Sequence, residues 1–201
     1  ALAEMLGVEV PRTRDDSNTG REGGLYEILK EADQIYRNAL RQNPEAIAYL
    51  KRRGIDGPTA GRYAMGFAPD AWDTILKSLG TSDARIAQLR EAGLVIRNEQ
   101  GRDYDRFRNR IMFPIRDPRG RVIGFGGRVM GDDEPKYLNS PETPLFHKGR
   151  SLYGLYEARQ VHGRPEQILI VEGYLDVASL SQHGIEPSVA TLGTATTTEH
   201  L

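Results

Sequence analysis

The stretch Gln167-Ile168-Leu169-Ile170-Val171-Glu172-Gly173-Tyr174-Leu175-Asp176 constrains the fold of this chain more than any other. A continuous apolar run of this length reads as a strand buried on both faces, as in a parallel sheet. The run stops at the Glu172 carboxylate, and Gly173 allows the tight turn of a strand-to-helix junction. A helical pattern over Leu175–Gln182 ends near Gly184, and Pro187-Ser188-Val189-Ala190-Thr191-Leu192 reads as a second buried strand. Strand, helix, strand is a βαβ unit, with a right-handed crossover expected. Glu172 then sits where open α/β sheets place ligands, at the carboxyl end of a strand. Asp176 lies one helical turn on, so both acids can face one site.

Upstream the apolar period is helical first and strand-like later. Leu25, Ile28, Leu29, Ala32, Ile35, Tyr36, Ala39 and Leu40 mark one helix face. Pro44 suits the first turn of a second helix reaching Arg53 and ended by Gly54. Thr59–Tyr63 reads as a short helical turn, Met65–Ala68 as an extended piece, and Trp72–Leu79 and Asp83–Ala92 as helices, the latter closed by Gly93. After Gly101, Arg110–Ile115 and Arg121–Phe125 flank Asp117-Pro118-Arg119-Gly120, a hairpin signal. Gly120, Gly124, Gly126 and Gly127 point to backbone packed close to something. Asp132 to Arg150 reads as a long irregular loop, Ser151–His162 as a strand end and helix, and Gly193–Thr198 as another helix start.

Residues 1–24 read as a tail and flexible linker, because Pro11 to Gly24 is polar, glycine-rich and without periodicity. The opening Ala1–Leu6 reads as the end of a helix, and without an initiator Met the chain is expected to be an excised fragment. The fold class expected is α+β / α/β: a mixed helical and β subdomain over residues 25–150, then a truncated βαβ unit over 151–201.

With 201 residues, 38% hydrophobic and 27% charged, the chain suits one or two domains with a real core. No apolar run approaches the ~18 residues of a membrane helix. A basic segment followed by an apolar one, the mark of a secretory signal, is absent from the N-terminal residues. Zero cysteines exclude disulfides and cysteine zinc sites within the chain, and fit a reducing compartment. The net charge of −1 requires any nucleic-acid surface to be local.

Such a surface stands out between Arg102 and Arg128, where eight arginines face three aspartates. Arg106 and Arg108 alternate about Phe107, so in an extended segment they share a face. Guanidinium planes suit phosphates and stack on bases; a solvated arginine-rich hairpin has the same composition. Lys136-Tyr137-Leu138-Asn139-Ser140-Pro141-Glu142-Thr143 and Phe146-His147-Lys148-Gly149-Arg150 gather cations, donors and a stacking face suited to a nucleoside triphosphate, or an ordinary surface loop. His147 has no second histidine at ligand spacing. Glu172 and Asp176 suit a hard cation or a proton relay, although two acids do not complete a site.

Taken together these residues resemble the RNA polymerase core of bacterial DnaG-type primases. The resemblance rests on Tyr104–Ile115, Gly124-Phe125-Gly126-Gly127-Arg128, Lys136–Thr143, Phe146–Arg150 and Val171-Glu172-Gly173-Tyr174-Leu175-Asp176, the last similar to the first motif of the Toprim fold. It implies synthesis of short RNA primers on a single-stranded DNA template from ribonucleoside triphosphates, in a bacterial cytoplasm. It implies Glu172 as catalytic acid and metal ligand with Asp176 beside it, and Mg2+ or Mn2+ as cofactor. Arg53, Arg106, Arg108 and Arg128 would track template or primer hybrid, and Lys136, Tyr137, Asn139 and Lys148 would engage nucleotide. The family's zinc module, its Asp-rich Toprim motif and its contact with the replicative helicase would lie outside this sequence, which leaves the fragment inactive alone. Two alternatives remain: a non-catalytic single-strand or nucleotide-binding module, and another Toprim enzyme, a topoisomerase or nuclease.

Overall fold

The structure is a computed structural model that describes residues 14–131, 133–163, 165–193, 196–198 and 200, with the side chains of residues 14–19 and 162 left aside. It opens on a long helix, α1 (Arg14–Gln42), followed by α2 (Pro44–Arg52) and α3 (Gly57–Arg62). Strand β1 (Gly66–Ala68) leads to α4 (Thr74–Leu79) and α5 (Asp83–Glu91), and β2 (Val95–Arg97) and β3 (Asp103–Asp105) form a separate antiparallel pair. Then come β4 (Arg110–Arg116), β5 (Val122–Val129), β6 (Tyr137–Asn139), α6 (Leu155–His162), β7 (Leu169–Val171), α7 (Tyr174–Gln182) and β8 (Ser188–Ala190).

Local sequence sets most of these boundaries. Asn43 caps α2 by accepting the Ala46 N–H at 2.8 Å, Pro44 occupies the first turn, and Gly54 takes φ 79° just beyond the helix. Asp56 caps α3 through the Thr59 N–H, and Ser82 caps α5 through the Arg85 N–H. The expected hairpin is β4–β5, with Phe113 opposite Gly126 and Ile111 opposite Arg128. It forms the centre of an antiparallel sheet ordered β1-β4-β5-β6.

Both faces of that sheet are covered, which is why β4 and β5 are buried almost throughout. Along β4 the side chains alternate as the pleat requires. Met112 joins Leu25, Ile28, Leu29, Ala32, Tyr36 and Phe125 in a core beneath α1, while Ile111, Phe113 and Ile115 enter a second core with Tyr153, Tyr174 and Val177.

Three expectations need correction. The stretch Arg14–Gly24, read as linker, is the first part of α1. Tertiary contact overrides its poor helix propensity: Arg21 pairs with Glu91 at 2.5 Å, and a Cβ on Gly24 would come within 2.9 Å of Gln88 Nε2. The expected tail over residues 1–13 lies outside the described residues. The span 132–150 is not wholly irregular, since Tyr137–Asn139 pairs with β5 opposite Gly126, Gly127 and Arg128. Finally, β7 pairs with β8 in parallel as expected but is not buried on both faces: Ile168, Leu169 and Ile170 are 42%, 47% and 41% exposed. Hydrophobicity marked it as a strand needing cover, and these successive side chains, which alternate between the two faces, stay partly exposed on both. The helix start expected over Gly193–Thr198 falls partly outside the described residues.

Side-chain bonds fasten the βαβ unit and the helix before it to the rest. Gln182, at the end of α7, accepts the Asp56 N–H at 2.9 Å and donates to the Gly54 carbonyl at 2.9 Å. Arg62 donates to Glu186 at 2.7 Å, and the buried Glu157 of α6 pairs with Arg116 of β4 at 2.8 Å.

Candidate functional site

Gly173 ends the apolar run and starts α7, leaving Glu172 exposed at the carboxyl end of β7 and Asp176 exposed in the first turn of the helix. Both carboxylates line one cleft of about 340 Å³, with Lys136 and, from β6, Tyr137 and Asn139 lining it too, and Thr191 and Gly193 beyond β8. The four-residue spacing therefore does bring the two acids to one site. Among the described residues no group of three or more histidine or acidic side chains converges. Two carboxylates suit what Mg2+ commonly takes from a protein, the remaining positions going to water and phosphate oxygens. The donor set thus fits a hard cation as one part of its shell.

The β6 wall is held rigidly. Tyr174 donates its hydroxyl to Asn139 Oδ1, Asn139 Nδ2 donates to the Leu192 carbonyl at 2.9 Å, and Arg106 donates to the Asn139 carbonyl from Nε and Nη2 at 3.2 and 3.0 Å. Tyr174 stacks on Phe113 with centroids 4.9 Å apart and meets Tyr153 edge-on at 4.8 Å. Burial holds its phenol well above the ordinary value, so it stays a donor. Burial likewise pulls the Arg106 guanidinium below its usual value.

A second cleft, about 280 Å³, adjoins the first and shares Lys136 with it; Arg53 and Arg128 line it, opposed by Asp133 and Glu134. Arg128 is only 5% exposed, donates from Nε to the Tyr137 hydroxyl at 3.0 Å, and leaves Nη1 buried without a partner. Arg53, Arg128 and Lys136 therefore make a basic path that ends at Glu172 and Asp176.

Two expected residues lie elsewhere. Arg108 does not run side by side with Arg106, because residues 106–109 fall between β3 and β4 and Asn109 takes φ 49°. It donates to the Asp105 carbonyl and lies 3.7 Å over the Trp72 ring, which is 63% exposed, with Tyr104 at 5.5 Å. Lys148 does not line the acidic cleft; its N–H donates to Glu142 Oε1, beside the 3.0 Å pair of His147 with Glu142. Sequence reasoning missed Trp72, Tyr49 and the bracing part of Tyr174. The lone Trp beside an acidic turn, and an aromatic one turn before a basic pair, were the signals available.

Comparison with known proteins gives matches of one kind. The family model described as DNA primase catalytic core, N-terminal domain, matches residues 35–159, and a Toprim domain model matches residues 166–201. The chain is 53% identical over 208 residues to a DNA primase of Pseudomonas putida, covering 100% of this chain and 32% of that one. It is 53% identical over 206 residues to the DNA primase of Escherichia coli K12, covering 100% of this chain and 36% of that one. A solved structure of the DnaG primase catalytic domain bound to single-stranded DNA is similar with a TM-score of 0.86 at 52% identity, covering 90% of this chain and 59% of that one. The chain thus spans about a third of the length of the relatives it matches.

Proposed function

The chain belongs to the family of DNA primase catalytic core N-terminal domains, and on that footing we propose that it serves in the synthesis of short RNA primers on single-stranded DNA. The reaction is attack of a primer 3′-hydroxyl on the α-phosphate of a ribonucleoside triphosphate, with pyrophosphate leaving. The observation that carries the reading is the shared wall at Lys136, which joins the arginine-lined cleft to the cleft of Glu172 and Asp176. A nucleic-acid backbone on the first and a nucleotide in the second would meet at the acids.

Each side chain has a task that its surroundings suit. Arg53 offers an exposed guanidinium fork to phosphates, and Arg128, 5% exposed, adds positive charge beneath the cleft. Arg108 on Trp72 makes an exposed flat platform for a base, outside both clefts. Arg106 shapes the β6 wall through the Asn139 carbonyl. Lys136 brings a point charge to the triphosphate, Tyr137 a half-exposed ring face, and Asn139 the one amide N–H that Leu192 does not take. Lys148 lies off this path, in the loop fixed by Glu142. Glu172 with Asp176 would hold a divalent cation, Mg2+ or Mn2+; such an ion, when bound, offsets phosphate charge and lowers the pKa of the attacking hydroxyl.

A second reading applies to the chain by itself. Because no third acid joins the pair among the described residues, it is expected to bind single strands without extending a primer. A zinc module, further metal-binding acids and a helicase contact are proposed for the parts of such proteins that this chain does not cover. Among the described residues no helix is long and apolar enough to cross a membrane, which fits the proposed work in the cytoplasm.

The test uses the whole primase that contains this sequence. Glu172→Gln should abolish ribonucleotide incorporation on a single-stranded template while template affinity stays within about two-fold, since Glu172 neutralises no phosphate. Retained synthesis would remove Glu172 from the mechanism. Weakened template binding would move it from the chemistry to the groove.

A further inference from the structure

Three arginines gather on one aromatic ring at the far end of the basic path. The guanidinium carbons of Arg52, Arg53 and Arg128 lie 6.0, 5.5 and 5.4 Å from the centroid of Tyr49. Arg52 and Arg53 come from the end of α2 and Arg128 from β5, so the ring joins two elements distant in sequence. Among the described residues none of the three has a carboxylate within ion-pair distance. Like charges held this close repel; the Tyr137 hydroxyl holds Arg128 Nε, Asp133 and Glu134 stand across the cleft, and among the described residues no ion pair fixes Arg52 or Arg53. The negative face of a tyrosine ring does so. Tyr49 is 5% exposed, and its hydroxyl is buried without a hydrogen-bond partner, so the ring and not the oxygen makes the useful contact. The same residue lines the cleft of Arg53 and Arg128 and a neighbouring hollow of about 580 Å³ that Arg52 and Asn109 border.

We propose that Tyr49 is a positioning residue for the nucleic-acid strand: its ring presets Arg53 and Arg128, and with them Arg52, so that phosphates meet oriented forks. The inference rests on the primase reading, and it extends the groove beyond Arg53 to Arg52 and the adjoining hollow. Arginine is exposed at positions 52 and 53 and would otherwise lose rotamer freedom on binding. Prior fixing removes that cost, which shows up as affinity without any new contact to the strand. A tyrosine serving only to fill the core would be replaceable by any apolar side chain of similar size.

The experiment measures binding of a fluorescein-labelled oligothymidylate to this chain by anisotropy, between about 50 and 200 mM salt. Tyr49→Phe keeps the ring and is expected within about two-fold of the parent, while Tyr49→Met keeps apolar volume and is expected to bind roughly ten-fold more weakly. The Met variant should also flatten the dependence of log affinity on log salt by about 0.7, the loss of one phosphate contact on a single strand. A Met variant that binds as the parent does, or a Phe variant that fails as the Met variant does, overturns the proposal. Side-chain nitrogen relaxation of the unliganded parent decides the matter even where the Met variant does not fold. Arg53 Nε–H should be ordered despite its exposure, and a freely mobile Arg53 overturns the proposal outright. No binding by the parent at any salt, with Arg53 nonetheless ordered, would sink the nucleic-acid reading and leave a purely structural arginine cluster.

Discussion

Replacing Gly126 by alanine should damage both the core and the acidic cleft, for reasons the β5 register makes explicit. Gly126 stands opposite Phe113 on one side and Asn139 on the other. A Cβ there would come within 2.6 Å of Tyr174 Cε2 and closer still to the phenol end of the ring. Ordinary carbon contacts begin near ~3.5 Å, so the ring must retreat by about 1 Å. It has little room, lying flat on Phe113 and edge-on to Tyr153. Overpacking of this kind costs about 1–3 kcal/mol. Loss of the Tyr174–Asn139 hydrogen bond adds about 1 kcal/mol. A total of roughly 2–4 kcal/mol corresponds to a fall in melting temperature of about 5–15 °C for a chain of this size. Gly131→Ala is the control, since a Cβ there meets nothing within 4 Å; it should stay within about 0.5 kcal/mol of the parent. In a Tyr174→Ala background the same Gly126→Ala change should cost almost nothing, giving a coupling of about 2 kcal/mol or more. If Gly126→Ala melts with the parent and with Gly131→Ala, the slot for Tyr174 is not where its position is set.

Three further outcomes are expected. Burial outweighs the Arg37 and Arg116 charges and raises Asp33 to about 6, so the folded state holds this proton more tightly than the unfolded chain. Stability from this group is present below pH ~4 and falls as pH rises toward ~6; Asp33→Asn should therefore be more stable by up to ~3 kcal/mol near neutrality and lose that advantage near pH 4, and a less stable variant at neutrality would refute the assignment. Trp72→Ala should weaken binding of a single-stranded oligonucleotide by about 1–3 kcal/mol. Being 63% exposed, Trp72 should leave the melting temperature nearly unchanged, and equal affinity in a filter-binding titration would remove it from the path. Leu169→Thr with Ile170→Lys should suppress concentration-dependent association in sedimentation velocity, because these residues with Ile168 leave apolar surface exposed on both faces of an edge strand; an unchanged profile would place self-association elsewhere.

Periodicity gave the helices after Leu25 and the central hairpin because each has strong punctuation: Pro44 and Gly54 around α2, Asp117 to Gly120 between β4 and β5. It failed over Arg14–Gly24, where the helix is held by α5, a partner about sixty residues away that no local window includes. Burial misled at Ile168–Val171 for the opposite reason: an apolar run reports what a strand needs, not what the described residues supply. At the site, the four-residue spacing of Glu172 and Asp176 could be read directly, since helix geometry converts it into a shared face. The convergence of Arg53, Arg128 and Lys136 could not, because it depends on how α2 meets β5 across the second core. Tyr49 carried only its place one turn before Arg52 and Arg53; an aromatic on the buried stripe of a helix looks the same whether it fills space or seats cations.

The Gln182 side chain exchanges two hydrogen bonds with the backbone at Gly54 and Asp56, immediately after Arg53. It terminates the helix that begins just past Glu172. A single amide therefore ties the turn that follows Arg53 to the far end of the helix that carries Asp176. Shortening it by one carbon, as Gln182→Asn would, forfeits one or both of these bonds and loosens the joint between the two segments without touching either cleft.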